Sequence, residues 1–160
     1  MTQIGDSILE KMKAQKGKKF SHSPSPFTMW LDPVILEVEE GALSFEYQVR
    51  HDMTNPIKTL HGGAIAGIMD DTIGAAVFTL GLKEFFTTVN LTVDYFSPVV
   101  EGDIIIASAK VVKKGRQIVH VICDLKMKNG NKLLAHATSN LIKLERRLNS
   151  ISPWQSERSK

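Results

Sequence analysis

The sequence predicts an α+β domain, an antiparallel sheet of about five to six strands wrapped around one long central helix. Three observations carry this. Between Asn55 and Leu82 the apolar residues Ile65, Ile68, Met69, Ile73, Ala76, Val77 and Leu80 recur at helical spacing, and Ala64, Ala75 and Phe78 fill much of the opposite side. A helix apolar nearly all round is buried on most of its circumference. On both flanks the period changes to two, the mark of half-buried strands, and the intervening turns are too short for the crossovers that parallel strands require.

Taken in order, residues 1–19 open with a short helical pattern, Ile4, Ile8, Leu9 and Met12 on one side and Asp6 or Ser7 near its start. They end in a basic run, Lys11, Lys13, Lys16, Lys18 and Lys19. Lysines suit a helix C-terminus and no aromatic residue interleaves with these, so the run reads as a solvated helix end, not a nucleic-acid arm. SHSPSPF, residues 21–27, reads as an irregular Ser/Pro connector. From Pro33, Val34, Leu36 and Val38 alternate with Ile35, Glu37 and Glu39; after a turn at Glu40-Gly41, Leu43, Phe45, Tyr47 and Val49 alternate with polar residues. This is a hairpin with one dry face. His51 to Leu60 is a loop carrying Asn55-Pro56, leading into the helix. After Gly81, Val89, Leu91, Val93 and Tyr95 share a face, and strands follow over Ile104–Val112, Ile118–Met127 and Leu133–Ile142. Asn129-Gly130 between the last two is a strong hairpin signal. The boundaries are an N-terminal helix and connector over 1–26, the sheet-and-helix domain over 27–145, and a polar tail over 146–160 with Trp154 as its anchor.

A chain of 160 residues, 42% hydrophobic and 23% charged, suits one globular domain and excludes disordered and fibrous classes. The net charge of +3 selects no partner. A single cysteine, Cys123, excludes an intrachain disulfide and fits a reducing compartment. The first 19 residues lack an apolar core of signal-peptide length and carry Asp6 and Glu10, so the expected location is cytoplasmic. Two carboxylates and five glycines interrupt the central stretch, so no membrane span is expected. His22, His51, His120 and His136 lack metal-ligand spacing, and no metal is expected. Cys123 lies on the strand face of Val119, Val121, Leu125 and Met127 and reads as a core residue.

The chemistry concentrates in the central stretch. Gly62 and Gly63 sit where the helix begins, where unpaired backbone N–H groups favour a ligand oxygen with developing negative charge. Asp70 and Asp71 are its only formal charges after Lys58, and a carboxylate in a buried helix needs a reason. Adjacent helix residues point ~100° apart, so one of the two acids is assigned to the site and the other, Asp71, to a solvated or hydrogen-bonded structural role. Asp70 lies eight residues beyond Gly62, ~12 Å along a regular helix, so one reacting carbonyl cannot touch both. If both act in one reaction, the acid comes from a second copy of the helix, most simply across a twofold axis.

A strand hairpin, Asn55 six residues before the histidine of LHGG, six residues from the second glycine to Asp70, and then TTVNLTVDYFSPV resemble the hotdog-fold acyl-CoA thioesterases of the PaaI-like (phenylacetate-pathway) group. The resemblance spans about residues 28–144. It implies a hotdog fold, hydrolysis of an acyl-CoA thioester to free acid and coenzyme A, and edge-to-edge dimers that often pair into tetramers, with sites at the dimer interface. It implies that Asn55 helps to position the thioester, that His61 organises the loop, and that the Gly62 N–H polarises the carbonyl. Asp70 of the other subunit is then nucleophile or general base, and Thr88 orients water. Lys114, Gly115 and Arg116 fall in a region where relatives contact the coenzyme A nucleotide. Gly63 adjoins the carbonyl site, and Phe85 and Phe86 can line an acyl or aromatic tunnel or pack the core. Coenzyme A is part of the substrate, so no cofactor is implied. Two other readings stand beside the hydrolase: an acyl-CoA sensor without turnover, for which no output domain is visible, and a hotdog hydratase, whose histidine motifs are not recognisable.

Overall fold

The protein is described as a computed structural model over residues 3–147; of the expected polar tail, 146 and 147 extend the last strand, and 148–160 with Trp154 lie outside the described residues. Six strands form one antiparallel sheet in the order β1-β2-β4-β5-β6-β3, comprising β1 (Val34–Glu39), β2 (Ala42–Gln48), β3 (Glu84–Tyr95), β4 (Ile104–Lys114), β5 (Ile118–Met127) and β6 (Leu133–Arg147). The long helix α3 (Gly62–Phe78) packs against β2 through β6. Its buried face, Ile65, Ile68, Met69, Thr72, Ile73, Ala76 and Val77, meets Phe45, Tyr47, Ile105, Val121, Cys123 and Leu125. Ala107, Ala109, Ala135 and Ala137 on the inner face of β4 and β6 are also buried, and side chains this small let the sheet curl closely onto the helix.

The helix is less enclosed than its composition predicts. Gly63 and Gly74 are exposed, and the outer side carries small residues and Asp70. Two shorter helices precede the sheet. α1 (Gln3–Lys13) begins ahead of Asp6 and Ser7 and packs on β1, with Met12 buried in the core. Three lysines of the basic run are tied to nearby acids: Lys13 to Glu10 and Glu39, Lys16 to Glu37, and Lys19 to Asp32. The connector is not wholly irregular, because α2 (Pro26–Leu31) starts inside it. Ser25 caps this helix by accepting from Thr28 N, and Pro26 stands in its first turn, where a missing N–H and a fixed φ cost nothing.

Five register shifts interrupt the sheet, and three of them move residues that strict alternation had placed. On β1 the shift lies between Ile35 and Glu37, so the buried residues are Ile35 and Val38, not Val34, Leu36 and Val38. On β4 it falls between Val111 and Lys113, and Val112 is exposed. On β3 Thr88 pairs with Leu141 and Asn90 with Asn140, leaving Val89 as the extra residue, 53% exposed and off the face of Leu91 and Val93. The third bulge matters most. It lets Phe86 and Thr88 before it and Leu91 and Val93 after it all turn toward the helix. Asn90 stabilises the bulge, its Oδ1 accepting from both the Asn140 backbone N–H and the Asn140 amide.

Candidate active site

Asp70 projects from the middle of α3 toward the inner side of β3, where Thr88 Oγ1 donates to its Oδ1 at 2.8 Å. Both residues line a cleft of about 340 Å³ between α3, β3 and the segment from Ser23 to Thr28. Phe85 and Phe86 line it too, with Phe20, Phe27 and Phe78, so five aromatic side chains contribute to its walls. The structure thus joins four of the sequence-selected residues, Asp70, Thr88, Phe85 and Phe86, and a half-buried carboxylate facing an apolar cavity can take a proton from a water placed against it.

The other selected residues lie elsewhere. At the start of α3 His61 is the N-cap, its Nδ1 accepting from Gly63 N at 2.8 Å, which makes its structural role concrete and occupies the Gly63 donor. The Gly62 N–H, at the first helical position, has no intrahelical acceptor. Tyr95 at the end of β3 donates to Gly62 O at 3.0 Å and its ring lies in van der Waals range above Gly62. This brace was not anticipated, although Tyr95 belongs to the motif that carries the resemblance. Asn55 organises its own loop: Oδ1 accepts from Ile57 N and Thr59 N, both at 3.1 Å, and Nδ2 donates to Thr59 Oγ1 at 2.7 Å. The second Nδ2 hydrogen makes no bond among the described residues.

Lys114 ends β4, and Gly115 and Arg116 enter the β4–β5 turn, on the side of the sheet near the C-terminal end of α3. There Val111 N donates to Gly41 O, and Gly41 N donates to Thr79 Oγ1 just past the helix. Lys114 and Arg116 are exposed. Gly115 N donates to Ile118 O at 2.8 Å, and a Cβ at this position would sit 2.8 Å from the same oxygen, so the turn itself requires glycine. Within one chain, then, the Gly62 donor, the Asp70 cleft and this basic turn lie in succession from one end of the helix to the other.

Asp71 departs from the solvated half of its expected role. Thr28 Oγ1 of α2 donates to its Oδ1 at 2.5 Å, while its Oδ2 is buried with no hydrogen-bond partner among the described residues. Burial pushes its carboxyl up to about 6, against the pull of the Thr28 hydroxyl and with a further push from the Asp70 charge. Helical spacing separates the two acids as expected, but α2, missed in the sequence, is what covers the second. Cys123 is fully buried, and its thiol is pushed far up by burial, in keeping with a core role. No group of three or more metal-ligating side chains occurs among the described residues, and no helix there is long and apolar enough to cross a membrane.

Comparison with known proteins points the same way. Residues 57–134, from the loop before α3 into β6, match the Thioesterase superfamily family. Human acyl-coenzyme A thioesterase 13 is 29% identical over 136 residues, 84% of this chain and 93% of that protein. A phenylacetic acid degradation-related protein of Ralstonia eutropha JMP134 is 26% identical, with a TM-score of 0.67 over 75% of this chain and 92% of that one. A hypothetical thioesterase of Streptococcus pneumoniae, crystallised with coenzyme A, shares the fold at 19% identity, with a TM-score of 0.67 over 72% of this chain and 88% of that one. With its six-stranded antiparallel sheet wrapped on one helix, the chain has the hotdog fold, and it is similar to the thioesterase superfamily over residues 57–134 and to PaaI-like thioesterases over most of its length.

Proposed function

We propose that this protein hydrolyses an acyl-CoA thioester to the free carboxylic acid and coenzyme A. The observation that carries this reading is the Asp70–Thr88 pair on the wall of an aromatic cleft, its carboxylate held by one hydroxyl at 2.8 Å. The acyl-coenzyme A thioesterase name of the human relative and the coenzyme A in the streptococcal structure support the substrate class.

In the proposed reaction the thioester carbonyl oxygen meets the Gly62 N–H of one subunit, and Asp70 of the partner subunit supplies the base. Water loses a proton to Asp70 Oδ2 as its oxygen attacks the carbonyl carbon, while Thr88 holds Oδ1 and so fixes the carboxylate. The negative charge moves onto the carbonyl oxygen, where one aimed backbone donor is worth roughly 10²- to 10³-fold in rate. The C–S bond then breaks, and the thiolate takes up the proton held by Asp70. Direct attack by the carboxylate through an anhydride is the alternative first step. Tyr95 holds the Gly62–Gly63 peptide that adjoins the donor's own, and the second Asn55 Nδ2 hydrogen is available to position the thioester.

The division of labour between subunits rests on the ~12 Å along the helix between Gly62 and Asp70. β3 fits such an assembly. It is the sheet edge beyond β6, it is 12 residues long, and Val89 and Tyr95 are each 53% exposed along it. A long unpaired apolar edge is stabilised by pairing with a second copy. A homodimer, further paired into a tetramer and acting in the cytoplasm, is the assembly we infer. Release of free thiol from a panel of aliphatic and aryl acyl-CoAs tests the reaction. Binding of acyl-CoA without release would instead make the site a receptor, and hydration of crotonyl-CoA would make it a hydratase.

A further inference from the structure

The outer wall of the cleft comes from neither the sheet nor α3. Ser23, Pro24, Ser25, Phe27 and Thr28 form it, and they belong to the connector and the first turn of α2. A six-residue helix has little stability of its own, so something must hold it in place. Its far end is well anchored. Leu31 is buried, and Arg50 donates from Nη1 to Leu31 O at 3.1 Å and from Nη2 to Trp30 O at 2.9 Å. The cleft end has two ties. Phe27, 46% exposed, lies over Gly67 so closely that a Cβ there would come within 2.9 Å of its Cζ, and Thr28 donates to Asp71.

We propose that Thr28 and Asp71 are a positioning pair that clamps the cleft end of α2 onto α3, fixing the outer wall and with it the acyl groups the site admits. The proposal rests on the hydrolase reading for what the cleft holds, but the clamp itself does not. Asp71 is poorly placed for chemistry: one carboxylate oxygen is taken by Thr28 and the other has no solvent contact. An acid whose ionisation burial disfavours is a costly residue to keep; the Thr28 hydroxyl on the wall donates to it, and the Tyr47 hydroxyl in the core adds a smaller favourable pull. The neighbouring acid on the same helix faces the reacting group, so α3 holds the base and the wall from consecutive positions.

The test uses Thr28→Val, which keeps the side-chain shape and removes the donor, with Thr28→Ser as the variant that keeps it. Hydrogen exchange at the amides of Met29 and Asp32, which close α2 through Ser25 O and Thr28 O, reads the wall directly. A hydrogen bond to a carboxylate is worth roughly 10- to 100-fold in an equilibrium. Exchange at these amides should therefore speed about 10-fold or more in Thr28→Val and return close to the native rate in Thr28→Ser. Across acyl-CoAs of increasing size, KM should rise and discrimination flatten in Thr28→Val while kcat for the best substrate stays within about threefold. Unchanged exchange together with unchanged discrimination in a folded Thr28→Val protein would overturn the clamp. So would an equal fall in kcat for every acyl group with KM unmoved, because Asp71 would then serve the chemistry. If the native protein releases no thiol, the hydrolase reading fails by itself. Exchange at α2 and the affinity of the same variants for a non-hydrolysable acyl-CoA thioether then decide the clamp.

Discussion

Replacing Asp71 by asparagine should stabilise the protein, and by an amount that depends on pH in a definite direction. The folded protein holds this carboxyl at about 6, against 3.8 for the ordinary aspartate, chiefly because burial disfavours the charged form. Between those two values the native state binds more protons than the unfolded state, so stability falls as pH rises, and above about 6 the full cost is present. At ~1.4 kcal/mol per unit this amounts to about 3 kcal/mol at neutral pH. The Asp71→Asn protein has no such group to ionise, and its side-chain carbonyl can still accept from Thr28. Its advantage over the native protein should be smallest below pH ~4 and grow by about 3 kcal/mol between there and pH ~7.5. Urea unfolding of both proteins across this range, at one protein concentration so that any subunit association is held constant, gives the difference directly. A difference that is flat with pH, or that shrinks as pH rises, would refute the assignment of Asp71 as a buried acid whose charge the fold resists.

Three further outcomes follow from the same geometry. Asp70→Asn should lose roughly two or more orders of magnitude in kcat while still binding coenzyme A, measured by thiol release and by equilibrium titration; a loss below about tenfold would remove Asp70 as base. Thr88→Val, which deletes the hydroxyl 2.8 Å from the carboxylate, should lower kcat by roughly tenfold or more, and Thr88→Ser should restore most of it. Gly115→Ala puts a methyl group 2.8 Å from the Ile118 carbonyl oxygen, and overpacking against backbone should cost about 1–3 kcal/mol in denaturant unfolding; no loss would mean the turn relaxes freely.

Much of this was legible in the sequence because the period changes are large. The helix over Gly62–Phe78 and the strand over Ile118–Met127 emerge from spacing alone, and Asp70 and Thr88, both singled out through the resemblance, share one hydrogen bond. What escaped has physical causes. Bulges at Leu36, Val89 and Val112 each insert one residue and reverse the inside-outside order beyond it, which no alternation rule foresees. α2 was hidden because SHSPSPF looks like a loop, yet Ser25 and Pro26 are a helix start, and the signal lay in Ser25-Pro26 followed by FTMWL. Without α2 the partner of Asp71 could not be seen, since Thr28 lies 43 residues away in the chain. The brace from Tyr95 to Gly62 is equally non-local, spanning 33 residues.

If the Gly62 donor and the Asp70 base of one site come from different subunits, mixing two inactive variants rebuilds an intact site across the dimer. Gly62→Pro removes the N–H with little disturbance, since proline suits the first helical position and His61, at φ −62 and ψ 137, already has the extended backbone that precedes proline. Gly62→Pro and Asp70→Asn should each be nearly inactive alone. Co-expressed in equal amounts they should recover about a quarter of native thiol release, because half of the dimers are mixed and each mixed dimer holds one intact site of two. Recovery no greater than the sum of the two single variants, in a preparation shown to contain mixed dimers, would contradict a shared site and place donor and base in the same chain.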